Sequence, residues 1–188
     1  MSLRALGPLS YTTGIVLVAI MTGLTTVATV VIAIPFPWGG YLNFGDVLVM
    51  LSGMVLGPVG GLFAGGVGSA MADIALGYHM FAPVTLVSKG TEGLVVGYFS
   101  LKSSTPSRLT KWDLLGIVLG ACAMLTGYFV AEVFLLGIEP AVAELVLVNS
   151  IQVTVGGTFT AAFGPRIRSL VTDSLHGPPE EDMPDSSQ

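Results

Sequence analysis

The chain has 188 residues, 52% of them hydrophobic and only 10% charged, with a net charge of -5 and a mean hydropathy of +0.82. Soluble domains carry about 25% charged residues, so this composition argues against a soluble enzyme or a nucleic-acid-binding domain and for an integral membrane protein. The one cysteine, Cys122, allows no intrachain disulfide, and no Cys/His cluster suggests a metal site.

The first residues, Met1 to Pro8, hold one basic group, Arg4, and lead into an apolar stretch from Tyr11 to Pro35. That stretch is longer than a signal-peptide core and reads as a retained first span. Apolar runs place the spans at 11–34, 45–57, 59–77, 84–101, 112–137 and 141–165. The second and third come from one long run, divided where Pro58 lacks an N–H and disfavours helix at Gly57. The alternative is one kinked span over 45–77 and five crossings in all. Six crossings put Arg4, Lys102, Arg108, Lys111, Arg166 and Arg168 on one side, six of the seven Lys and Arg. The positive-inside rule then predicts an all-α, compact bundle of six transmembrane helices with both termini cytoplasmic. Gly53, Gly57, Gly61 and Gly65 recur every four residues, as do Gly60, Ala64, Gly68 and Ala72, the spacing that lets helices approach closely in lipid. Residues 1–175 are expected to form the membrane domain. Residues 176–188, with four of the twelve acids and no periodicity, are expected to form a disordered acidic cytoplasmic tail.

Charges within a membrane are costly and usually functional. On the six-span layout Asp46, Asp73, Lys89, Glu92, Tyr128, Glu132, Glu144, Asn149 and Gln152 all fall towards the outer ends of their spans. Inner stretches such as 59–68, 94–100 and 155–164 hold no charge. The asymmetry predicts a cup opening outward, rimmed by the first outer loop from Pro35 to Phe44, with Trp38, Gly40, Tyr41 and Asn43, and by Tyr78, His79, Met80 and Phe81. Plainer readings stand beside this one. Trp38 and Tyr41 suit an interfacial belt; Lys89 and Glu92, at i and i+3, suit a structural ion pair; Asp46 suits a helix N-cap. Asp73 could merely pair with a neighbour, and His79 could be a solvated loop side chain. Neither a phosphate-binding G-x-x-x-x-G-K-[ST] loop nor an H-E-x-x-H or G-x-S-x-G motif is present, so a transporter built from this chain needs its energy from elsewhere.

Four elements follow in order: Asn43-Phe44-Gly45-Asp46, Gly57-Pro58, Gly68-Ser69-Ala70-Met71-Ala72-Asp73 and Lys89-Gly90-Thr91-Glu92-Gly93. Together they resemble the substrate-capture (S) components of energy-coupling factor (ECF) vitamin transporters, most closely the riboflavin-type branch. The resemblance implies a multi-pass protein of the cell membrane, without enzymatic activity or cofactor, that binds a vitamin or precursor. It also implies a transmembrane scaffold protein and two cytoplasmic ATPases as partners, with Ala19 and Gly23 docking on the scaffold. The competing expectation is an autonomous ion-coupled carrier or channel for a small polar solute.

Overall fold

A computed structural model describes residues 11–37 and 39–176. Trp38 and residues 177–188 of the predicted acidic tail lie outside the described residues, while His176, its first residue, is helical. The chain is almost wholly helical: α1 (Tyr11–Val31), α2 (Gly45–Leu62), α3 (Gly68–Leu76), α4 (Ala82–Ser100), α5 (Lys111–Leu135), α6 (Ile138–Glu144) and α7 (Ser150–His176). Two π-helical turns, Phe63–Val67 and Leu145–Asn149, join α2 to α3 and α6 to α7. A short antiparallel ribbon, β1 (Ile34–Pro35) with β2 (Tyr41–Leu42), interrupts the first loop, an element that the sequence reading did not include.

Four stretches are long and apolar enough to cross a membrane: Thr12–Val31, Gly45–Leu76, Lys111–Leu135 and Ile138–Leu175. The protein is therefore an integral membrane bundle. The buried Lys89 and Glu92 lower the hydropathy of α4.

By composition 45–76 is one stretch, yet its backbone turns back on itself. Gly57 has φ +79° and ψ -172°, a conformation that suits glycine, and Pro58 follows with no N–H to lose. The two arms then run side by side. A Cβ built on Gly61 would lie 2.7 Å from the Gly53 Cα, and one on Gly65 would lie 2.8 Å from Val49. In a continuous helix positions 53 and 61 would stand about 12 Å apart.

Glycines let α4 lie across this hairpin: a Cβ on Gly93 would sit 2.6 Å from the Gly61 carbonyl carbon, and one on Gly65 2.6 Å from the Lys89 carbonyl oxygen. The α5 helix packs on the other side of α4 through Gly116 and Gly120, against Val96 and Glu92. The α7 helix lines the first arm of α2, with Gly156 on Asp46 and Gly164 on Met54. The central core is Met50, Met54, Val96, Ile117, Met124, Tyr128 and Val153. A second cluster, Leu51, Val55 and Leu56, packs against α1 and the end of α7.

The predicted last span stops at 165, but α7 continues through Pro165 to His176. Its extra turns are held by Arg168, which reaches Asp113 Oδ1 at 2.7 Å and the carbonyls of Pro106 and Thr105 at 3.0 and 3.3 Å. Asp113 belongs to the capping box of α5 with Thr110. This buried pair ties the 101–110 loop to α7 at the end of the bundle opposite the β-ribbon.

Candidate ligand-binding site

A polar cup opens at the ribbon end of the bundle. Every helix but α2 sends a polar residue into it, because that end of each carries one: Thr29 from α1, Ser69 and Asp73 from α3, Thr85 and Lys89 from α4, Tyr128 and Glu132 from α5, Glu144 from α6, and Gln152 from α7. The π-helical turn at Leu145–Asn149 has a local consequence. Its extra residue rotates the register so that Glu144, Val148, Asn149 and Gln152 all face the cup.

Lys89 forms an ion pair with Asp46 of α2 and donates to Gln152 Oε1 at 3.2 Å. Gln152 Nε2 in turn donates to the Tyr41 carbonyl at 3.1 Å, which fixes the ribbon to α7. The Tyr41 hydroxyl donates to Asp73 Oδ1 at 2.6 Å, and the Tyr128 hydroxyl meets Thr85 Oγ1 at 2.7 Å. Burial first, and then the Asp73 carboxylate, push Tyr41 well above the usual phenol range, so it remains a donor. On the far wall Asn149 Nδ2 donates to Glu132 Oε1 at 3.2 Å, and Glu144 Oε1 accepts from the Gly40 N–H at 3.0 Å. The rings of Tyr41 and Tyr78 lie 4.7 Å apart at the mouth, with Phe81 edge-on to Tyr78.

Of the residues singled out in the sequence, Tyr41, Asn43, Asp73, Tyr78, Lys89, Tyr128, Glu132, Asn149 and Gln152 line the cup. Asp46 and Glu92 lie beneath it, buried to 1% and 0% exposure, and His79 is exposed on the loop. The i, i+3 spacing pairs Lys89 with Glu92, whereas the structure gives Lys89 to Asp46. Nor does Asp46 cap α2: the position before the helix is Phe44, and no side chain caps it. Glu92 keeps both oxygens without a hydrogen-bond partner, as Asp46 keeps Oδ2 and Asp73 keeps Oδ2.

Gly40 and Phe81, expected at the rim, and Glu144, expected in the outer polar cluster, also line the cup, whereas sequence reasoning did not assign Thr29, Ser69, Thr85 or Val148 to it. Glu144 carried a readable signal, an acid within an apolar run, whereas the small and hydroxylic residues match ordinary packing positions. The free space in the cup is about 30 Å³, room for one or two water molecules. Tyr41, Gly40 and the ribbon cover it. Among the described residues no group of three His, Cys, Asp or Glu could hold a metal ion. The cup instead presents carboxylate acceptors, one ammonium and an aromatic pair, the equipment for binding a small polar ring by hydrogen bonds and stacking.

The family model described as "ECF-type riboflavin transporter, S component" matches residues 10–166. The chain is also 49% identical, over 120 residues, to an "Uncharacterized protein in gap 3'region" of Pyrococcus woesei. The match covers 63% of this chain and 78% of that protein.

Proposed function

Since the chain belongs to the family of ECF-type riboflavin transporter S components, we propose that it is the substrate-capture subunit of an ECF importer for a water-soluble vitamin or vitamin precursor. The observation that carries this reading is the one-ended cup. Polar groups converge at the ribbon end, and below them Met50, Met54, Val96 and Met124 fill the bundle at 0–1% exposure. Among the described residues no polar path runs from the cup to the other end along this core, which disfavours an autonomous carrier or channel. The chain is then a binding subunit and not an enzyme, resident in the cell membrane.

Carboxylates outnumber the single Lys89 in the lining, and Asp73 Oδ2 has no partner. A neutral or cationic heterocycle with hydrogen-bond donors, stacked on Tyr41 and Tyr78, suits these groups better than a polyanion. Trp38, His79, Asp46 and Glu92 complete the proposed site, the last two as support beneath it. Partners are a transmembrane scaffold and two ATPase subunits. Ala19 and Gly23 are exposed on α1, and a Cβ on Gly23 would meet nothing within 4 Å. That open face suits close approach by a partner helix.

Two variants separate capture from coupling. Asp73→Asn changes the free oxygen to an amide and leaves Oδ1 for Tyr41. Losing a charged acceptor costs about 1–3 kcal/mol, so the dissociation constant for a bound vitamin should rise about tenfold to a hundredfold. Ala19→Leu with Gly23→Leu should keep that affinity and lose ATP-driven uptake. Thermal shifts across the water-soluble vitamins, riboflavin first, identify the ligand. If no vitamin raises the melting temperature, the proposed function fails. Unchanged affinity in Asp73→Asn removes that residue from the site.

The orientation is proposed on the basic residues together with the reversal at Gly57. The 45–76 stretch then crosses twice, six helices span the bilayer, the cup faces outward and both termini are cytoplasmic. In a Cys122→Ala background, needed because that thiol is exposed, an impermeant reagent should label Glu139→Cys but not Ser104→Cys in intact cells. Labelling at both positions, or only at 104, would overturn this layout.

A further inference from the structure

A second cavity lies on the flank of the bundle, between α5 and α7. It is an open groove of about 660 Å³, within the range of about 300–1,000 Å³ that holds a medium-sized organic ligand. Its α5 wall is Leu114, Ile117, Val118, Ala121 and Cys122, and its α7 wall runs from Val153 to Ala162. Even the polar Thr154 turns its hydroxyl back on its own helix, to the Ser150 carbonyl at 2.7 Å. The groove is therefore apolar along most of its length, with Thr158 and Cys122 its other polar-bearing side chains.

Its end opposite the cup is different. Lys111 stands three residues before Leu114 and seven before Val118, on the same face of α5. Arg166 stands four residues after Ala162 and eight after Thr158, on the groove face of α7. Arg108 adjoins Leu109, which lines the groove. All three basic residues are exposed, and none forms an ion pair among the described residues: Lys111 lies 5.7 Å from the Trp112 ring centroid, and Asp113 is taken by Arg168. An open apolar groove that ends in cations without an ion-pair partner among the described residues is complementary to one amphiphile: an acyl or isoprenoid chain carrying a phosphate.

We infer that the α5–α7 groove is a binding site for an anionic membrane phospholipid, its chain lying along Ala121, Gly157 and Ala161 and its phosphate held by Lys111 and Arg166. The charge at the slot's end selects this occupant over a partner helix, whose apolar surface would leave the cations unanswered. The inference is independent of which vitamin the cup binds.

The test is retention of lipid by the full-length detergent-solubilised protein, read by native mass spectrometry after incubation with phosphatidylglycerol and phosphatidylcholine of the same chains. Each basic residue near a membrane surface is worth about fivefold in affinity for an anionic lipid. Wild type should hold phosphatidylglycerol about tenfold or more over phosphatidylcholine. Lys111→Gln with Arg166→Gln should reduce that preference to about twofold or less, with vitamin affinity unchanged. Ala121→Phe with Ala161→Phe, which fills the slot and keeps the charges, should lower retention of both lipids. Equal retention of the two lipids by wild type overturns the proposal and leaves the groove to a helix or a second copy of the chain. An undiminished preference in the Gln variant, or undiminished retention in the Phe variant, overturns it as well.

Discussion

Replacing Lys89 by Met should cost about 3–5 kcal/mol of stability, because it strands the Asp46 carboxylate at 1% exposure with no counter-charge. Gln152 would lose a donor at the same time, since its Oε1 accepts from Lys89. The double variant Lys89→Met with Asp46→Asn should regain most of that loss, as removing both charges of a buried pair is far milder than removing one. Thermal unfolding in detergent, followed by a conformation-sensitive dye, gives both values. A Lys89→Met protein as stable as wild type would mean that the pair contributes nothing to the fold. Lys89→Met with Glu92→Gln should stay as unstable as the single variant, because Glu92 is not the residue that holds the ammonium.

A larger loss should follow from Gly93→Leu. Gly93 meets the backbone of Gly61, and its own carbonyl group lies where a Cβ on Gly61 would fall. Backbone cannot yield as a side chain does, so the α2 hairpin and α4 would have to separate. The cost should exceed 4–5 kcal/mol, the range of severe single substitutions, and no monodisperse protein should be recovered. Gly23→Leu is the contrast, since open space surrounds that position and folded yield should match wild type. Normal yield of Gly93→Leu would show that helix contacts elsewhere set the packing.

These two glycines show what was and was not legible in the sequence. Glycines at 53, 57, 61 and 65 look like one face of one helix. Three of them do mediate close packing, but Gly57 is the turn itself, and its left-handed φ is invisible in a four-residue spacing. Pro58 gave the break because proline acts on its own backbone and on the residue before it. The direction of the polarity was legible for a similar reason: a charge in an apolar run stands out whatever it touches. Its partner did not stand out. Lys89 and Glu92 share a helical face, but a lysine side chain spans several ångströms and found Asp46 and Gln152 on other helices. Pairings between segments 43 and 63 residues apart leave no local pattern. The Arg168–Asp113 pair, 55 residues apart, escaped notice for the same reason. The extent of α7 escaped because Pro165 marks a helix end by propensity, whereas tertiary contacts beyond it kept the helix going.

The cup's small free volume has a thermodynamic side. If the cup takes a vitamin, as proposed, its free space of about 30 Å³ has to grow on binding, and the contacts of Gly40 with Glu144 and of the Tyr41 carbonyl with Gln152 are the ones that would have to part to open it. If that open form is a minority species, the apparent affinity equals the intrinsic one scaled by its population. A form populated at about 1% costs a hundredfold in affinity. Each of the two hydrogen bonds from the ribbon thus acts on ligand capture without touching the ligand. Strengthening them slows arrival and weakens binding, while weakening them does the reverse until the released ligand is no longer enclosed. The affinity of this chain for its ligand is in that sense partly a property of its first loop, and evolution could retune it there without altering one residue of the cup's floor.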